Sequence, residues 1–162
     1  MGIDIHVFVL KRNADTDKWD KLTLIRKKAD GSTEETAPLH GYRNREMFQM
    51  LEEEVPSDVI KWDMIGTGQK EIKELASYDG FFGFNEINMI NLKGYLKKHP
   101  RITDYDAEDE YYYEHGESSP KKLTKKNPVN ILYKQVKWFI TFADPLFWGD
   151  ESNYKIIYFF DW

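Results

Sequence analysis

An aspartate and a histidine two positions apart, Asp4 and His6, sit inside the apolar run GIDIHVFVL of residues 2–10. On an extended strand alternate side chains point the same way. Asp4 and His6 therefore share a face with Phe8 and Leu10, and Ile3, Ile5, Val7 and Val9 take the other. A carboxylate among apolar neighbours needs a partner, because burying it unpaired costs several kcal/mol. Asp161, close to the other end of the sequence, could supply it if the first and last strands are neighbours, with Arg43 and Asn44 as a supporting polar pair. Such a cluster has two chemistries. An Asp-x-His pair joined by a third carboxylate can ligate a divalent metal ion and lower the pKa of a bound water, making Asp4, His6 and Asp161 the metal and catalytic residues of a small metal-dependent hydrolase. The plainer alternative is an ion-pair and hydrogen-bond network that pins the strands to a helix beginning near Arg43.

A second chemistry-bearing stretch is DYDAEDEYYYEHGE, residues 104–117. Carboxylates steer a basic partner and tyrosines supply contact area, so Asp106, Glu108, Asp109, Tyr111 and Tyr112 form a candidate docking surface. Trp148, in the Pro- and Gly-containing loop DPLFWGD, is a further candidate contact. The alternative is a solvated acidic loop balanced by Lys121, Lys122, Lys125 and Lys126. GTGQK at 66–70 lacks the spacing of a phosphate-binding loop. His40 and His99 lie beside loop residues and read as surface histidines.

Composition limits the partners. The chain has 162 residues, a formal net charge of -5 and no cysteine. An acidic protein without clustered Lys and Arg is not expected to bind nucleic acid directly. Without cysteine there is no disulfide, thiolate zinc site or cysteine nucleophile. No apolar run reaches the roughly 18–20 residues of a membrane span and the first residues carry no secretion signal, so the expectation is a cytoplasmic protein without membrane contact.

The elements that must position these residues follow from pattern. Residues 3–11 and 19–28 read as strands joined by the turn NADTDK into a hairpin. Helices are expected at about 43–54, at 69–77, from an Asn91 cap to His99, and from the Asn127-Pro128 start through KWFITF. Tyr78–Ile87 fits neither period and reads as a packed loop. NYKIIYFFDW closes the sequence as a strand. The expectation is a single α+β domain over 1–162. A small antiparallel or mixed sheet, built from the N-terminal hairpin and the C-terminal strand, carries about four helices, and residues 101–127 form an exposed excursion.

MGIDIHVFVL with Trp19, RNREMF at 43–48 and the closing YKIIYFFDW together resemble a family of uncharacterised phage and prophage proteins. Members open with Met-Gly-x-Asp-Ile-His and finish on a strand ending Phe-Asp. The resemblance implies a phage-type accessory protein. Joined to the aromatic content and the acidic, tyrosine-rich segment, it leads to the expectation of a protein that binds a host or phage macromolecule with a basic surface, an inhibitor of a host defence system being one form of this. The metal-dependent hydrolase is the alternative.

Overall fold

The computed structural model describes residues 2–36, 39–42 and 44–162. Its frame is an antiparallel sheet. β1 (Asp4–Asn13) and β2 (Lys18–Lys21) form the expected hairpin, closed by an Asx turn in which Asn13 Oδ1 accepts the Asp15 N–H. β10 (Tyr154–Asp161) lies on the other side of β1, and beyond it come β7 (Phe82–Asn88) and the short β6 (Asp58–Val59). β5 (Leu39–Tyr42) also pairs with β1. The first and last strands thus share the centre of one sheet, and the fold is α+β.

The sheet separates two cores. On one face Ile5, Val7 and Val9 of β1 meet Ile156, Tyr158 and Phe160 of β10. Three helices cover them: α1 (Arg45–Glu53), α3 (Met89–Lys98) and α5 (Val129–Ala143). On the other face Phe8, Leu10, Ile157 and Phe159 pack with Ile72 of α2 (Gln69–Ala76). Residues 154–160 are consequently all buried, which is why β10 reads as an unbroken apolar run.

Several elements depart from the sequence expectation. Residues 19–28 are two strands: Trp19 packs on the α2 side, Leu22 and Leu24 on the other, and β3 (Leu24–Lys27) pairs with β4 (Thr33–Thr36) in a separate ribbon. Residues 22–23 belong to neither strand, and beyond them β3 takes β4 rather than β1 as its partner, which breaks the expected single strand. Residues 82–88, expected as part of a loop, are β7, a central strand between β10 and β6. Because β7 is a strand, the cap of α3 falls three residues before the expected Asn91. Asn88 Oδ1 accepts the Asn91 N–H at 2.7 Å. The excursion at 101–127 contains a fifth helix, α4 (Tyr105–His115), carried by a ribbon of β8 (Arg101–Thr103) and β9 (Thr124–Lys126). α5 begins as expected, Asn127 Oδ1 accepting the Val129 N–H.

Candidate functional site

The antiparallel register sets Asp4 opposite Asp161 and His6 opposite Phe159. Opposed residues share a face, so Asp4, His6 and Asp161 converge at one rim of the sheet as expected. His6 Nε2 lies 2.7 Å from Asp161 Oδ2, and both side chains are largely buried. The His6 ring also stacks on Phe159, with centroids 5.4 Å apart, and tilts against Phe81 at 5.1 Å. Its Nδ1 is buried with no hydrogen-bond partner among the described residues. Two aromatic walls and one carboxylate fix the imidazole. Among the described residues no three His, Cys, Asp or Glu side chains are arranged to hold a metal ion.

Of the supporting pair, Asn44 does not join the rim. Asn44 is the N-cap of α1, its Oδ1 accepting the Met47 N–H at 3.0 Å, and α1 packs on the face opposite His6. Arg43 lies outside the described residues. An Asn directly before an amphipathic helix is a strong cap signal, and capping consumes its side-chain oxygen.

Two further polar clusters escaped the sequence reading. Lys155 Nζ and Glu86 Oε2 form a buried pair at 3.2 Å, the ammonium 4.7 Å from the centre of the Trp19 ring. The same carboxylate oxygen accepts the Lys61 N–H. At the C-terminal end of α5, buried Asp144 Oδ2 takes Lys11 Nζ at 2.6 Å and the Tyr154 hydroxyl at 2.5 Å. Burial pushes the Asp144 carboxyl up. The hydrogen bonds from Lys11, Tyr154 and the Leu146 N–H outweigh it and hold the group below the usual carboxylate range. The Tyr154 hydroxyl is raised by burial and by donating to Asp144. Both clusters join strands to their neighbours.

α4 is different, because none of its residues is buried. Asp104 caps it by accepting the Ala107 N–H, and Gly116 ends it at φ 72°. Its inner side is polar: Glu108 Oε1 accepts the Leu123 N–H at 2.7 Å, and Tyr111 stacks on His115 with centroids 4.0 Å apart. The opposite side presents Asp106, Asp109, Glu110 and Tyr113, the tyrosine 86% exposed, with Tyr112 on the flank. Asp106 and Asp109 line a cleft of about 820 Å³ that residues of α1, the end of α3 and β8 share with them, Arg45, Arg101 and Lys125 being its cations. Lys125 is paired with Glu46 of α1, and that hydrogen bond raises its pKa.

The proposed contact residues do not form one patch. Glu108 is occupied by the ribbon, and Tyr111 is half-buried against His115. Trp148 is 91% exposed but follows the C-terminal end of α5, whereas β9 leads into its N-terminal end. Fifteen helical residues, about 22 Å, separate them. A feature absent from the sequence reading is a set of exposed apolar residues on the outer side of α5, Ile131, Trp138 and Phe142. Its signal, a second apolar stripe on an already amphipathic helix, was present in the spacing. No helix among the described residues is long and apolar enough to cross a membrane. No family model, curated protein or solved structure matches the chain.

Proposed function

We propose that the protein is a binding module that docks a macromolecular partner with a basic surface through the outer face of α4, as a phage-type accessory protein would. One observation carries the reading. An 11-residue helix without a single buried side chain is held out on a two-stranded ribbon and presents three carboxylates and exposed tyrosine. Isolated helices of this length are marginal in water, and most helices persist by burying an apolar face. α4 persists through its caps and its ribbon, leaving Tyr112 and Tyr113 free for a second surface. Tyrosine gives contact area at low entropic cost, and carboxylates accelerate encounter with a cationic patch. The phage-type assignment rests on the residues at the two ends of the sequence.

The test uses the immobilised chain against a host-cell lysate, with stepwise salt elution, beside a variant carrying Asp106→Lys, Asp109→Lys and Glu110→Lys. Stoichiometric retention of one protein that salt weakens and the variant loses supports the reading. Equal retention by the variant refutes it.

A further inference from the structure

α5 has two apolar sides. Val129, Leu132, Val136, Phe139 and Ile140 face the core. At about 100° per residue, Ile131, Gln135, Trp138 and Phe142 fall on a single line about 120° round the helix from the core-facing line. Trp138 and Phe142 are 57% and 59% exposed, and their rings lie 4.6 Å apart. Beyond the helix end Leu146 and Trp148 continue the exposed apolar surface in the chain.

We propose that this stripe is the two-fold interface of a homodimer in which α5 packs antiparallel against α5 of a second copy. The spacing is self-complementary. A two-fold axis between positions 136 and 137 sets Ile131 opposite Phe142 and Gln135 opposite Trp138, so each aromatic meets a smaller side chain. The same operation carries Leu146 and Trp148 towards the start of α5 in the other copy. There a shallow cleft of about 350 Å³ is lined by Lys126, Pro128, Ile131 and Lys134 among others.

Charge selects the same orientation. Residues 118–143 contain six lysines and no aspartate or glutamate. Antiparallel packing brings the exposed Asp150, two residues after Trp148, towards the exposed Lys126 of the second copy. Parallel packing would instead set the two lysine-rich ends together. The area is also adequate. With roughly 150–250 Å² for each aromatic, the exposed parts of Trp138, Phe142 and Trp148 amount to roughly 300–500 Å². Ile131 and Leu146 carry this towards the roughly 800 Å² that each partner of a standard interface contributes. An isologous contact of this kind closes on itself and needs no further component.

Sedimentation equilibrium of the full chain is expected to give twice the 19.3 kDa chain mass. Phe142→Lys and Trp148→Ala should each weaken the dimer at least tenfold, while circular dichroism shows both variants folded. Because the chain has no cysteine, orientation can be read by cross-linking. Under mild oxidation Ile131→Cys and Phe142→Cys chains should form a disulfide when mixed, and neither should cross-link alone. A mass of one chain at every concentration overturns the proposal, as does cross-linking of either variant with itself. Pelleting of a monomeric chain with anionic phospholipid vesicles, lost in Phe142→Lys, overturns it in favour of a lipid surface.

Discussion

Asp161 lies directly opposite Asp4 in the sheet and reaches diagonally to His6, its Oδ2 2.7 Å from Nε2. The strand that opens on a carboxylate and an imidazole therefore carries them where the closing strand supplies another carboxylate. Removing the imidazole leaves Asp161 without that partner and strips Phe81 and Phe159 of the ring packed against them. His6→Ala is expected to destabilise the protein by about 1–3 kcal/mol in urea titration. With no three-ligand set at this rim among the described residues, millimolar magnesium, manganese or zinc should leave the melting temperature of the native chain unchanged. A rise that His6→Ala abolishes would instead assign the rim to a metal.

The buried pair Lys155–Glu86 predicts a non-additive result. Glu86→Ala strands an ammonium beside Trp19 and removes the acceptor of the Lys61 N–H, so a loss of about 3–5 kcal/mol is expected. Lys155→Met combined with Glu86→Ala should lose clearly less than the sum of the two single changes. Denaturant titration of all four proteins closes the cycle, and strict additivity would show that the two groups do not interact.

Asp144 fixes the behaviour in acid. Against the upward push of burial, the bonds from Lys11 and Tyr154 hold its folded-state pKa below the ordinary aspartate value, so the unfolded chain takes up a proton more readily than the folded one. The stabilisation is complete above the unfolded pKa and is lost as pH falls through the folded pKa. Asp144→Asn should lower stability at pH 7 by about 1–3 kcal/mol. Its stability should also fall less steeply than that of the wild type below about pH 4, a difference that thermal melts across pH 2–7 measure.

Gly83 tests the strand that sequence reading missed. Its φ is +70°, and an added Cβ would lie 2.5 Å from the ring of Phe160. Gly83→Ala combines backbone strain with a collision in the core and should cost about 2–4 kcal/mol by urea titration. An alanine variant as stable as the wild type would place the Phe160 ring elsewhere.

That glycine also explains why β7 was illegible. FFGFNEIN has residues buried on both sides of the sheet, so the alternation that marks a half-exposed strand is absent. The register between β10 and β7 shifts between Tyr158 and Phe160, close to the glycine that such an irregularity accommodates. The hairpin, the pairing of β1 with β10, α1, α2 and the run of α5 were legible because one periodicity dominates each. α4 carried readable signals that its composition masked: Asp104 as cap, Asp106 and Glu108 in the first turn, and Gly116 just past the end. At the candidate site, the meeting of His6 with Asp161 followed from strand alternation only on the condition that the first and last strands are neighbours, which the pairing of β1 with β10 meets. The burial of Lys155 against Glu86 could not be read, since it depends on where β7 lies.

The central pairing of β1 with β10 bears on how the chain reaches its fold. His6 and Asp161 stand 155 positions apart, and the hydrophobic residues on both sides of β10 have nothing to pack between until that strand arrives. Closing so long a loop must precede the contacts that reward it, which makes folding slow for a chain of this size. During synthesis β1 waits with one edge unpaired. The hairpin with β2 can form locally in that interval, and the last strand then inserts between β1 and β7 to complete the surface on which α1, α3 and α5 pack.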